Sequence, residues 1–115
     1  MKKIIIDFDC DWTLVENRDD GIIKQNPRIV ELLRILSSFK NVRIIVWSWR
    51  GATWAEQVVN SLMIRKYVYD VASKNHKGKD ENWKHIFEPD IFPDICIDDI
   101  QACELWLLNL IVKEK

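Results

Sequence analysis

The sequence predicts an α/β fold built on a short, mainly parallel sheet. Three observations predict it. Four short runs rich in β-branched or aromatic residues, at 4–8, 42–47, 67–72 and 94–97, are each followed by polar or charged residues. The segments between them are long enough to hold a helix, which is what a parallel connection requires. The first run opens on three consecutive isoleucines, Ile4, Ile5 and Ile6, the pattern of a strand buried on both faces.

The chain has 115 residues, 48% hydrophobic and 30% charged, which suits one globular domain spanning 1–115. That length allows two or three packed layers but no separate substrate domain. A net charge of −1 gives no electrostatic case for nucleic acid or an anionic membrane as partner. Met1, Lys2, Lys3 and the isoleucines imitate the start of a secretory leader, but Asp7 ends the apolar run too early. No run approaches the ~18 apolar residues of a membrane span. Cys10, Cys96 and Cys103 are odd in number and lack CxxC spacing, so free thiols in a reducing cytoplasm are expected.

The first strand runs into Asp7, Asp9 and Asp11. Alternate residues of an extended segment point the same way, so three carboxylates would crowd one side of the strand end. Nothing in folding alone rewards that repulsion, and in isolation such residues merely solvate a loop. A divalent cation would relieve it, since Mg²⁺ is held by one or two carboxylates plus phosphate oxygens. The stretch therefore points to a metal-assisted phosphate site at the carboxyl end of a strand.

The remaining elements follow in order. Residues 15–26, with Asp19-Asp20-Gly21 as turn signal, predict a small hairpin. Asn26 and Pro27 then cap and start a helix carrying Ile29, Leu32, Leu33 and Leu36 on one face, with Asn41 as its stop. The second strand, 42–47, is followed by Ser48-Trp49-Arg50-Gly51. A hydroxyl there, with loop N–H groups and a helix start, suits a phosphate oxygen. Thr53 to Glu56 reads as a capping box ahead of Val58, Val59, Leu62 and Met63. The third strand, 67–72, leads into a polar, basic stretch containing Lys74, Lys77 and Lys79. A short helix is expected over 80–88, and a fourth strand over 94–97 runs into the adjacent pair Asp98 and Asp99. The closing segment, 100–115, reads as a helix apolar on more than one face. His76 and His85 fit no zinc spacing.

Asp9-Cys10-Asp11-Trp12-Thr13-Leu14, directly after the isoleucine strand, resembles motif I (DxDxT) of the haloacid dehalogenase superfamily. The alternative register, Asp7 with Asp9, puts Asp11 where the threonine is expected. The resemblance implies that Asp9 is the nucleophile, Asp11 the general acid/base and Thr13 the residue ordering the turn. Ser48 matches the phosphate-binding motif II, with Arg50 beside it as a further anion ligand. Lys74 best fits the motif III lysine, with Lys77 and Lys79 as alternatives. Asp98 and Asp99 match the DD form of motif IV, which completes a Mg²⁺ site with Asp9 and the Asp11 backbone carbonyl. The hairpin would sit over the site, bringing Arg18 and Lys24 towards substrate.

Each motif alone is weak, but four in this order on βαβ spacing are specific, and strand ends in such folds converge on one sheet edge. The implied fold is a three-layer α/β/α Rossmann-like core. The gap after Thr13 leaves no room for a cap domain, as in the magnesium-dependent phosphatase type. The implied activity is Mg²⁺-dependent phosphomonoester hydrolysis of a phosphorylated small molecule or an exposed phosphate on a macromolecule. Two alternatives stand beside it: a catalytically weak binding module, against which the intact Asp9/Asp11 pair argues, and a metal-dependent nuclease. Ser48 and the lysine favour the monoesterase. Trp12 and Cys10 depart from the family's usual smaller or aliphatic residues. The absence of a fifth strand after motif IV would leave a sheet edge exposed, and with the apolar last helix and six tryptophans this points to a homodimer. Trp49 and Trp54 are the tryptophans expected to meet substrate.

Overall fold

The computed structural model describes residues 2–16, 23–74, 93–99 and, through the backbone alone, 108–111. The isoleucine run forms β1 (Ile4–Asp9). A hairpin of β2 (Val15–Glu16) and β3 (Lys24–Gln25) pairs antiparallel, while its expected turn and Arg18 lie outside the described residues. Next come α1 (Pro27–Ser37), β4 (Val42–Ser48), α2 (Ala52–Ser61) and a 3₁₀ turn (Arg65–Tyr67). The remaining strands are β5 (Asp70–Ser73), β6 (Ile95–Asp98) and β7 (Leu108–Ile111). The sheet order is β5-β4-β1-β6-β7, every neighbouring pair parallel, so β1 is central. The described residues form an α/β fold without a cap.

Register explains where the core lies. Ile6 pairs with Ile44 and Ile95, and Phe8 with Val46 and Ile97, so these side chains share one face. Ile29 and Leu33 of α1 and Ala55, Val58 and Val59 of α2 join Ile6, Phe8, Ile44, Val46 and Ile97 in one apolar cluster. Both helices therefore cover the same face, as right-handed crossovers from β1 to β4 and from β4 to β5 demand. The other face carries Ile5, Asp7, Asp9, Ile45, Trp47, Cys96 and Asp98, all buried. The helix expected over 80–88 lies outside the described residues. Leu33 has no exposed surface. Leu33→Ala is expected to lower stability by about 3 kcal/mol, read as a shifted urea midpoint with an unchanged slope.

Four expectations are corrected. The closing segment is not one helix: residues 108–111 form β7, the fifth strand thought to be missing. A short leucine-rich run cannot be told from a helix segment by periodicity, and pairing with β6 decides it. The sheet is thus one strand wider than the edge argument for a homodimer assumed. The third strand begins at Asp70 rather than residue 67, because Arg65–Tyr67 closes a 3₁₀ turn against Ile64. There is no capping box at Thr53, which lies inside α2; Gly51 is the N-cap, at φ 102, a conformation glycine adopts without steric cost. Finally α1 stops at Ser37, not Asn41, with Ser38 donating both its N–H and its hydroxyl to the Ile35 carbonyl.

Cys10 and Cys96 are buried thiols, neither in a disulfide. No helix among the described residues is long and apolar enough to cross a membrane.

Candidate active site

The carboxyl ends of β1, of its neighbour β6 and of β5 on the far side of β4 bring the candidate residues together. Asp9 closes β1, Asp98 closes β6, and Lys74 follows β5 directly, its N–H donating to the Ser48 carbonyl at 2.9 Å. The Lys74 ammonium donates to Asp9 Oδ1 at 2.8 Å and to Asp98 Oδ2 at 2.5 Å. Its side chain is only 1% exposed. A lysine buried that deeply needs paired anions to stay charged, and it has two. Burial alone would lower its pKa, but the charges and hydrogen bonds of Asp9 and Asp98 outweigh this and raise it. Among the described residues Lys74 is the lysine brought to the cluster; Lys77 and Lys79 lie outside them.

Asp9, Asp98 and Asp99 each offer a carboxylate oxygen within 4.8 Å of the others. Three carboxylates against one ammonium leave an excess of negative charge, and the strain shows in the protonation of Asp9 and Asp99. Burial first, then the charges of Asp98 and Asp99, push Asp9 up from 3.8 to about 7 despite Lys74. Asp99 is raised too, by burial and by its hydrogen bond and charge contact with Asp98. Hard oxygen donors with surplus negative charge are the chemistry a divalent cation such as Mg²⁺ fits. This group could hold a metal ion.

The turn after β1 is tightly tied. Thr13 and Val15 donate their N–H groups to the Cys10 carbonyl at 3.2 and 3.0 Å, and Trp12 donates to Val15 O at 2.7 Å. Thr13, fully buried, donates its hydroxyl to Asp9 Oδ2 at 3.3 Å. Asp9 is thereby gripped at both oxygens, by Thr13 and Lys74. The expected row of three aspartates is corrected here. Asp7 lies one step back on the same face, between Ile45 and Cys96 in the sheet, and Asp11 lies beyond the strand. Neither adds an oxygen to the three-carboxylate group. Asp11 instead accepts from Arg50 Nη1 at 3.4 Å, leaving its backbone carbonyl as the ligand atom expected of it.

Ser48 ends β4 beside this turn, and its Oγ accepts the Arg50 N–H at 3.0 Å, keeping its own proton for another acceptor. The Arg50 guanidinium lies 3.9 Å from the Trp54 ring centre, so Trp54 props the arginine that reaches Asp11. The Trp49 ring centre is 6.0 Å from the Lys74 ammonium, and Trp49 is 47% exposed. Lys24 pairs with Glu16 on the hairpin at 3.5 Å, both of them exposed. Cys10, inside the motif, belongs to the apolar cluster, and burial followed by the charges of Asp9 and Asp11 raises its thiol, so it is no nucleophile. Trp12, between Asp11 and Thr13, stands 45% exposed in the left-handed region, at φ 65, a placement its residue type gave no reason to expect.

No protein-family model matches this sequence, and no curated protein matches it. Among solved structures it is similar to a chain of the Pnkp1/Rnl/Hen1 complex, with a TM-score of 0.68 and 18% sequence identity. The match covers 98% of this chain and 46% of that one, so this chain spans about half its neighbour's length. At that identity the likeness speaks for the α/β fold.

Proposed function

We propose that this chain is a Mg²⁺-dependent phosphomonoester hydrolase of haloacid dehalogenase type, acting through an aspartyl-phosphate on Asp9. One observation carries the reading: the Lys74 ammonium bridges Asp9 and Asp98 within a three-carboxylate group at the sheet edge. A monoester phosphate needs a nucleophile, positive charge around its oxygens and an acid for the leaving group.

A carboxylate oxygen of Asp9 attacks phosphorus while the bond to the leaving oxygen breaks and Asp11 gives that oxygen its proton. Asp11 then takes a proton from water, whose oxygen attacks phosphorus, releasing inorganic phosphate and restoring the Asp9 carboxylate. Thr13 and Lys74 hold Asp9 in one orientation throughout. Ser48 donates its hydroxyl to the transferring group, and the start of α2 adds partial positive charge. Asp9, Asp98 and Asp99 would hold Mg²⁺, which when bound supplies positive charge against the negative charge on the phosphoryl oxygens. The neighbour in the Pnkp1/Rnl/Hen1 complex supports the fold on which this rests, not the reaction.

The test is hydrolysis of a chromogenic phosphate monoester and the matching diester, with and without Mg²⁺. Monoester turnover that needs the cation is expected. Turnover in chelator, or preference for the diester, would overturn the scheme, the latter in favour of the nuclease.

A pH dependence follows. Without metal, Asp9 sits near 7 against 3.8 unfolded, so its favourable contribution to folding is full below about pH 4 and lost as pH rises through 7. A Mg²⁺ ion held by Asp9 would compete with that proton for the carboxylate. Its affinity, measured by calorimetry, is expected to fall with pH below 7, with heat that depends on the buffer's ionisation enthalpy.

A further inference from the structure

We propose that Trp12 and Trp49 form a stacking platform for the leaving group, and that the natural ester is a phosphorylated nucleoside. This deepens the phosphatase reading and rests on it. Both rings stand on loops that leave the strands carrying Asp9 and Ser48, and the Asp11–Arg50 pair ties those loops together. Both are close to half exposed, whereas Trp47, just upstream on the same face as Asp9, is buried. Trp49 lies 6.0 Å from the ammonium that grips Asp9, within reach of a group attached to a phosphate held there.

Trp12 adds a second, independent sign. A large side chain at φ 65 is strained, and glycine or asparagine would occupy that position more cheaply. Met63 is also left-handed and exposed, so what sets Trp12 apart is its place, one residue from Asp11 on the loop that leaves the Asp9 strand. Flat indole faces beside a phosphate site suit a flat aromatic group, and stacking on them tolerates any base.

Two aromatic esters compete, a nucleotide and an aryl phosphate such as phosphotyrosine. A phenol is acidic enough, near pKa 10, to leave with little help. A sugar hydroxyl is a far weaker acid and needs a proton at the leaving oxygen. Asp11, held at the mouth by Arg50, is placed to give it, which favours the nucleoside. With a net charge of −1, the chain offers no excess of basic charge to track a long phosphate backbone. The unit recognised is therefore a single nucleotide, free or at a strand end.

The experiment compares kcat/KM for adenosine monophosphates (3′ and 5′), glycerol phosphate and phosphotyrosine, in wild type, Trp49→Ala and Trp12→Gly. Wild type is expected to prefer a nucleotide over glycerol phosphate by about tenfold or more, chiefly through KM. Each variant should reduce that ratio about tenfold, whatever it does to the common rate. Equal kcat/KM for the two esters, an unchanged ratio in both variants, or preference for phosphotyrosine would overturn the proposal. Should no monoester be hydrolysed, the phosphatase reading fails by itself. Adenosine monophosphate binding to Asp9→Asn, read by tryptophan fluorescence, then decides: saturable quenching weakened by Trp49→Ala supports the platform, and none overturns it.

Discussion

Lys74→Met is expected to unfold more readily than any other single variant of the site and to lose nearly all turnover. The ammonium is buried between Asp9 and Asp98, so its removal leaves carboxylates facing each other with no counter-charge. Breaking a buried pair from one side costs about 3–5 kcal/mol, because the partner stays behind in a poorly solvated place. Exposure of both partners is too slight for solvent screening to reduce this much. The loss should be larger at pH 8 than at pH 5, since burial pushes Asp9 up to about 7 and its protonation at the lower pH removes the repulsion. Turnover should fall by on the order of 10²–10³, the effect of removing one preorganised stabiliser of developing charge. Denaturant melts at the two pH values check the first claim, and a Lys74→Arg control separates charge from shape. A loss that is the same at both pH values would mean packing, not charge, is what Lys74 contributes.

Asp9→Asn is expected to do the reverse to stability while removing the chemistry. Asparagine keeps an oxygen to accept from Lys74 or Thr13, yet it deletes one of the three repelling carboxylates. Stability in metal-free buffer at pH 7 to 8 should therefore hold or rise, and its decline with rising pH between 4 and 7 should flatten. Hydrolysis should fall by on the order of 10⁴ or more, because no nucleophile is left to form the phosphoenzyme. Chromogenic turnover and thermal melts on the same preparation read both. Retained activity would remove Asp9 from its role.

Much of the site was legible because its residues sit directly after strands. The DxDxT spacing singled out Asp9 and Thr13, and the hydrogen bond between them shows why that spacing matters: the turn folds the hydroxyl back onto the carboxylate four residues earlier. Lys74 was chosen over two nearby lysines by its position at a strand end, and the structure places it between Asp9 and Asp98 for that reason. What was not legible depended on pairing. The leucine-rich tail carries equal signals for strand and helix, and β6 decides in favour of β7. Residues 67–69 have strong strand propensity, but Tyr67 closes a 3₁₀ turn and Tyr69 donates its N–H to the Ile44 carbonyl just before the ladder begins. The same holds for Asp7, whose alternation with Asp9 was right and whose depth in the sheet was not visible. Nor could spacing show the left-handed backbone at Trp12, a conformation set by the turn rather than favoured by tryptophan.

The sheet order divides the site between interior and rim. Asp9 belongs to the middle strand, held by ladders on both sides, and Asp98 to its neighbour. Lys74 arrives from β5, which among the described residues is bonded to β4 alone. Local opening of that outer strand would withdraw the counter-ion and leave the anions standing, so a motion at the perimeter would be enough to disarm a centre whose interior stays folded.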